Sequence, residues 1–222
     1  MEQHYHREIK EIYRQVARLG GLVAQGIGNA LACLREGDSD KGNEVKKGDQ
    51  IIDLLEVEIE EQCLKVLALY HPVAKDLRAI VTLLKVTTIL ERMGDLAENI
   101  VNKCDYVPPS FISESRMDIP RMGELALAML DTTMKALIDS DSEMARSVIR
   151  LEKEMDQLHK RHHQIIAEDI ANPEKAFNKA QLGLLSVSRY LERIGDQAVH
   201  VAEDVVYLVD ATIIRHNKEV QE

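Results

Sequence analysis

The chain contains an internal repeat with a period of about one hundred residues. Residues 90–97 read LERMGDLA and residues 191–198 read LERIGDQA, so six of eight positions are identical at an offset of 101. Residues 45–53 also align with residues 148–156, at an offset of 103, through matching apolar and acidic positions. A repeat on this scale means that one structural unit occurs twice, which restricts the fold to arrangements of two similar halves.

Each half contains segments in which apolar residues recur every three or four positions. The last segment of the first half shows the pattern without interruption, at positions 83, 86, 90, 93, 97 and 100. This spacing is typical of helices that bury one face, and the period of two that strands show is absent. The segments are separated by polar turns at 37–40 and 139–142, and by His71-Pro72 and Asn172-Pro173. The pattern predicts an all-α fold of two tandem, pseudo-symmetric three-helix bundles, with six long antiparallel helices of about 30 residues each.

One stretch between the two halves lacks the helical pattern. Residues 105–117 include Pro108-Pro109 and several serines, a composition typical of a linker. We therefore predict a first repeat at residues 1–107, a linker at residues 108–117 and a second repeat at residues 118–222.

Composition agrees with a helical bundle and argues against several classes of function. Hydrophobic residues make up 45% of the chain but aromatic residues only 4%, so aliphatic side chains must fill the core. A formal net charge of −10, without a basic stripe, argues against nucleic-acid binding. The most apolar stretch, residues 79–84, is too short for membrane insertion, and the polar N-terminus does not resemble a signal peptide. The three separated cysteines, Cys33, Cys63 and Cys104, are expected to be reduced core residues of a cytoplasmic protein.

Acidic residues occupy matching places in the two halves. In each half, the second helix carries two carboxylates four residues apart beside its apolar seam, and so does the third helix. A groove between these helices should therefore collect four carboxylates, which repel one another unless a cation compensates them. Hard cations prefer such oxygen ligands. The predicted metal ligands are Asp49, Asp53, Glu91 and Asp95 in the first half, and Glu152, Asp156, Glu192 and Asp196 in the second.

Other polar residues near these positions allow more than one interpretation. Asn99, His163 and His200 are candidate additional ligands, and the histidine nitrogens would shift the preference toward iron, manganese or zinc. Arg92 and Arg193 directly follow the motif glutamates, where they would bind a phosphate or a partner's carboxylate, or form ordinary surface ion pairs.

Enzyme motifs are not found. The sequence has no phosphate-binding loop, dinucleotide-binding turn or nucleophile elbow, so we predict that the protein is not an enzyme. The segment Asp156-x-x-His159 partly matches the ligand motif of di-iron bundles, but the strict Glu-x-x-His motif is missing. An iron-binding, iron-storage or oxidase bundle therefore stays open as an alternative, as does a helical scaffold without metal.

The repeated motifs resemble those of the PhoU family. Each half carries Asp/Glu-x-x-x-Asp on its second helix and LER-x-GD-x-A on its third, and residues 71–78 resemble the family's P-x-A-x-D-L-R turn. The second half lacks that turn and has residues 173–176 in its place. The resemblance covers residues 4–216. It implies a cytoplasmic, commonly dimeric negative regulator of phosphate uptake and of the phosphate-starvation response. Such a regulator would link the ATPase of a phosphate ABC transporter to a sensor histidine kinase.

The resemblance also implies a cofactor and its ligands. Some members of the family bind multinuclear iron or zinc clusters through the paired acidic motifs, and others are metal-free. Carried over to this chain, the family's ligands are the eight carboxylates named above, four in each half. Asn99 and His200 would be further ligands, and their difference implies that the two sites are not equivalent.

Overall fold

The structure is a computed structural model that describes residues 2–172 and 178–215, and within these ranges it contains helices and no strand. This confirms the predicted all-α fold of long helices. The seven helices of the described ranges are α1 (Glu2–Glu36), α2 (Ser39–Tyr70), α3 (Ala74–Val101), α4 (Pro109–Glu114), α5 (Ile119–Asp139), α6 (Ser142–Ala171) and α7 (Lys179–Asp210).

Short polar side chains define where several helices begin. Asp38 accepts hydrogen bonds from the backbone N–H groups of Asp40 and Lys41 at the start of α2. Asp141, which occupies the corresponding turn of the second half, accepts one from Met144 at the start of α6. These bonds satisfy N–H groups that have no partner within the first turn of a helix. The matching polar turns of the repeat therefore each provide the N-cap residue of the helix that follows.

Two helices differ from the predicted pattern. The short α4 lies inside the segment predicted as a linker, and it begins at Pro109 because proline fits the first turn of a helix. Helix α5 has 21 residues, fewer than expected, because it starts only after this connection. Helix α6 ends at Ala171, and the predicted break at Pro173 lies outside the described residues.

The two bundles share one core. Helix α2 packs against α1 and α3, and α6 packs in the same way against α5 and α7. Helix α3 also packs along α7, and α1 packs along α5. Four helices therefore form a closed ring of contacts, in the order α1, α3, α7 and α5, and α2 and α6 lie on the outside. A single cluster of buried apolar side chains runs through both halves.

This arrangement leaves α2 and α6 with one face toward the core and the other toward solvent. Helices α2 and α3, and likewise α6 and α7, which carry the predicted acidic ligands, are packing neighbours. None of the helices in the described ranges combines the length and the hydropathy needed to cross a membrane.

Candidate metal-binding site

Three predicted ligands converge between α6 and α7. Asp156 comes from α6, and Glu192 and Asp196 lie one turn apart on α7. One carboxylate oxygen from each residue lies within 4.8 Å of the other two. Ligands on opposite sides of a divalent cation are about 4–5 Å apart, given metal–oxygen bonds of about 2.0–2.6 Å. A single ion could therefore contact all three side chains.

The surroundings of this acidic group favour a positive ligand. Burial, followed by the charges of Glu192 and Asp156, raises the pKa of Asp196 to about 6. Burial and Asp156 also raise the pKa of Glu192. The pKa of Glu152 is raised by burial, by Asp196 and by Asp156. Each group therefore loses its proton less readily than it would in water, and either protonation or a neighbouring cation would relieve the repulsion between the carboxylates.

Histidines lie beside the same group of carboxylates. Electrostatic interactions with His163 and with His200 partly offset the raised pKa values of Glu192 and of Asp196, respectively. Both histidines are exposed. The second half thus has imidazole nitrogens beside its carboxylate oxygens, but the converging group consists of Asp156, Glu192 and Asp196, and His163, His200 and Glu152 lie outside it. Nitrogen and oxygen donors together suit zinc, iron or manganese.

A hydrogen-bonded chain that sequence analysis did not find connects His163 to the core. The backbone N–H of Asp118 donates to His162 Nε2 at 2.9 Å, so the proton of His162 sits on Nδ1, 2.8 Å from Ser188 Oγ. Ser188 Oγ also lies 2.9 Å from His159 Nδ1, and His159 Nε2 lies 3.2 Å from His163 Nε2. The chain fixes the orientation of His159. The signal in the sequence is the spacing of three histidines at i, i+3 and i+4, which places them on one helix face.

His162 is the buried end of this chain. Its side chain is almost completely enclosed, and burial lowers its pKa to about 4, with a further contribution from His159. The imidazole is therefore neutral at physiological pH and links the start of α5 to α6 and α7. Its role is to position the helices around the site.

The corresponding carboxylates of the first half also share one electrostatic environment. Burial raises the pKa of Asp49 to about 6, with contributions from Asp53, Glu98 and Asp95. Burial, Asp95 and Asp53 raise the pKa of Glu91. Asp53 and Asp95 therefore each repel both Asp49 and Glu91. Within the described ranges, the tight grouping of three potential ligand atoms is found in the second half and not here.

Asp49 contains an unsatisfied buried atom. Its Oδ1 is buried and has no hydrogen-bond partner within the described part of the chain. Glu98, which sequence analysis did not identify, lies beside the Asp49 carboxyl group and raises its pKa. Two carboxylates can share a hydrogen bond only when one is protonated. Burial of a carboxylate oxygen without a hydrogen-bond donor is unfavourable, and a cation bound at this position would compensate that cost.

The glycines between the motif carboxylates allow close packing of helices. A Cβ atom at Gly94 would lie 3.2 Å from Ile52 Cδ1 and 3.5 Å from Asp49 Oδ1. A Cβ atom at Gly195 would lie 3.3 Å from Met155 Cγ. The outer helix therefore approaches the backbone of its neighbour at the level of the carboxylates, which brings the two acidic pairs together.

The remaining candidate residues lie at the edge of the sites. Asn99 Nδ2 donates to the backbone oxygen of Asp95 at 2.9 Å, so its amide group is oriented by its own helix. Arg92 and Arg193 are exposed, and their charges partly offset the rise in the pKa values of Glu91 and Glu192 that burial and neighbouring acids cause. Both arginines thus stand next to a carboxylate cluster and point toward solvent.

The chain is similar to known proteins over nearly its whole length. A family model described as the PhoU domain matches residues 16–104 and again residues 119–205, once in each half. A phosphate-specific transport system accessory protein PhoU homolog from Aquifex aeolicus is 34% identical over 211 residues, which cover 95% of each chain. The phosphate-specific transport system accessory protein PhoU of Escherichia coli is 27% identical over 215 residues, covering 96% of this chain and 88% of the relative.

Solved structures show the same architecture. The crystal structure of PhoU from Pseudomonas aeruginosa superposes with a TM-score of 0.83 at 28% identity, covering 94% of this chain and 100% of that one. The phosphate transport system regulatory protein PhoU from Streptococcus pneumoniae superposes with the same TM-score at 24% identity, and this likeness concerns the fold alone. Long helices arranged in two similar halves are therefore common to all three chains.

Proposed function

Because the chain belongs to the PhoU family, we propose that it is a cytoplasmic accessory protein that represses phosphate uptake and the phosphate-starvation response. The observation that carries this proposal is the similarity across both repeats to proteins named as accessory proteins of a phosphate-specific transport system. The relatives' names describe accessory or regulatory proteins and no catalytic activity. The proposed role is therefore that of an adaptor without catalysis, in contact with the ATPase of a phosphate ABC transporter and with a sensor histidine kinase.

Inactivation of the gene in its own host tests this role. We expect phosphate uptake and a phosphate-starvation reporter to stay high in phosphate-rich medium, and a plasmid copy of the gene to restore repression. Normal repression in the mutant would contradict the proposal. Purified protein should also bind the transporter ATPase and the kinase in pull-down assays, without hydrolysing ATP itself.

We propose that the carboxylate grooves bind metal ions and that this stiffens the surfaces on which partners dock. The support is the convergence of Asp156, Glu192 and Asp196, together with the unsatisfied Oδ1 of Asp49. An ion held by these side chains would neutralise the repelling charges and link the outer helix of each half to its neighbour. Docking would then depend on metal.

Element analysis of protein purified without chelator tests metal binding in each half separately. We expect bound iron, zinc or manganese in the wild type, and a clear loss after Glu192→Gln, because this residue belongs to the converging group. Glu91→Gln, the same change at the matching position of the first repeat, shows whether the two sites are independent. Wild-type protein without metal, also after incubation with these ions, would exclude the cofactor. Oxygen consumption with ferrous iron would favour an oxidase or storage bundle instead.

We also propose that the protein forms a homodimer through the outer face of α2. This face exposes four large apolar side chains, with Ile51 46%, Leu54 73%, Val57 51% and Leu64 51% accessible. At the matching positions of α6, the chain has Glu154, Gln157, Lys160 and Ala167. The two outer helices thus differ where they face solvent, and exposed apolar patches of this kind mark interaction surfaces.

The charges on this face favour a second copy of the chain as its partner. Three of the apolar residues, Ile51, Leu54 and Val57, are flanked by Lys46 and Lys47 toward one end of α2 and by Glu58, Glu60 and Glu61 toward the other, and Leu64 follows these glutamates. In an antiparallel pair of α2 helices with Leu54 on the two-fold axis, Lys47 would lie opposite the partner's Glu61. Ile51 would lie opposite the partner's Val57. Such a two-fold interface uses the same surface of both copies and therefore needs charges that complement themselves.

A further inference from the structure

Two of the three cysteines lie side by side in the folded chain. Cys33 is near the end of α1 and Cys104 is in the turn after α3, and their sulfur atoms are 3.1 Å apart although 71 positions separate them in sequence. Cys33 is 3% exposed and Cys104 is half-buried. Cys63 is buried in α2, and no sulfur–sulfur contact involves it within the described part of the chain. Spacing in the sequence gave no reason to expect this pair.

The pair lies where several parts of the fold meet. A Cβ atom at Gly42, near the start of α2, would lie 3.1 Å from Cys33 Sγ, so the backbone of α2 packs directly against this sulfur. Cys104 precedes Tyr106 and Val107, whose side chains pack against the backbone of Gly183 on α7. A covalent bond between the two cysteines would therefore join the end of α1 to the segment that leads into the second half.

We propose that Cys33 and Cys104 form a reversible intramolecular disulfide with low-molecular-weight disulfides, such as oxidised glutathione, as the oxidant. The partly exposed Cys104 thiolate attacks the oxidant, releasing one thiol and forming a mixed disulfide. The Cys33 thiolate then attacks the Cys104 sulfur and releases the second thiol. Two protein thiols thus lose two protons and two electrons, and one oxidant disulfide becomes two thiols.

The geometry of the pair is compatible with this bond. A disulfide has a sulfur–sulfur distance of about 2.05 Å, so closure from 3.1 Å requires a movement of about 1 Å. Cys104 lies in a turn after the last residue of α3, where the backbone can move without breaking a regular helix. Burial raises the pKa of the Cys104 thiol, as do the neighbouring Cys33 and Asp105. The thiolate is therefore scarce at neutral pH, and the exchange is slow.

Equilibration of the folded, full-length protein in glutathione buffers of increasing oxidised fraction tests the proposal. After an acid quench, free thiols are alkylated and peptides are identified by mass spectrometry. We expect two of the three thiols to disappear together, with a cross-linked peptide that contains Cys33 and Cys104. The oxidised protein should also unfold at a higher urea concentration than the reduced protein, because the bond restricts the unfolded chain.

Three matched variants make the result specific. Cys63→Ser should still form the bond, whereas Cys33→Ser and Cys104→Ser should at most form a mixed disulfide with glutathione. If serine destabilises the buried site, alanine at the same positions serves in its place. Glutathione attached to Cys104 of the wild type without a cross-link would overturn the proposal, and so would cross-links that involve Cys63 or join two chains. The outcome is independent of whether the protein regulates phosphate uptake.

Discussion

At the scale of single residues, the main feature is a set of carboxyl groups whose pKa values lie above their ordinary values in water. The pKa values of Asp49 and Asp196 are each raised to about 6, chiefly by burial and then by neighbouring acids. The folded chain therefore keeps protons between about pH 4 and 6 that the unfolded chain would release. The metal-free protein accordingly gains stability as the pH falls through this range, until other carboxylates are protonated.

We expect Asp196→Asn to stabilise the metal-free protein at pH 7, because the change removes a charge that Glu192 and Asp156 repel. The gain should be about 1 kcal/mol after allowance for solvent screening, or a rise in Tm of about 2–4 °C. Thermal unfolding with a chelator present measures it. The gain should shrink near pH 4.5, where the wild-type carboxyl is protonated. The control variant Asp95→Asn, at the exposed matching position of the first half, should stabilise the protein less than Asp196→Asn does. Destabilisation at pH 7 would contradict this account.

At the scale of helices, the two outer helices have diverged in their donor atoms. Where α2 carries Glu56 and Glu60, the matching positions of α6 carry His159 and His163. On the third helix of each half, where the offset is 101, Asn99 on α3 matches His200 on α7. The first groove thus offers oxygen donors, and the second offers oxygen and nitrogen. The two halves should therefore differ in the ion that they prefer.

A charge exchange on α2 tests the proposed dimer. Lys47→Glu and Glu61→Lys should each weaken self-association, because each change places like charges opposite one another twice across the two-fold axis. The double variant should restore it. Sedimentation equilibrium across a range of concentrations measures the effect, and Leu54→Glu should give a monomer. Gln157→Glu, at the matching position of α6, is the control. A wild-type monomer, or dimerisation that none of these changes affects, would contradict the assignment of this face.

At the scale of the whole molecule, the halves are joined by more than apolar contacts. Asp204 on α7 is 2% exposed, and its Oδ1 lies 3.1 Å from Lys85 Nζ on α3 and 3.7 Å from Arg215 Nη2. The ion pair between Lys85 and Asp204 connects the first bundle to the second. Since the core is also continuous, the two halves should unfold together rather than one after the other.

We expect Asp204→Asn to lower the free energy of unfolding by about 2 kcal/mol, because it removes the buried carboxylate that Lys85 and Arg215 face. Urea unfolding followed by circular dichroism should show one transition, shifted as a whole. Asp131→Asn is the control, since Asp131 forms an exposed ion pair with Lys135 at 2.7 Å and should contribute less than about 1 kcal/mol. Two separate transitions would show that the halves are independent.

Much of the fold was predictable because helix geometry is local. The positions of apolar residues determine which side of a helix is buried, and the repeat determines that the pattern occurs twice. Asp156, Glu192 and Asp196 could be placed on adjoining faces by the same reasoning. The short α4 was missed, because six residues after a proline pair are too few to show a period.

By itself, the sequence determined the helices, their buried faces and the acidic positions along them, since each follows from a period of about 3.6 residues. Only the tertiary structure decided which faces meet. The ring of α1, α3, α7 and α5, the chain from His162 to His163 and the contact of Cys33 with Cys104 depend on packing between distant segments. The physical reason is that spacing along a helix places a side chain on a face. The distance from that side chain to another helix depends on how the whole core packs.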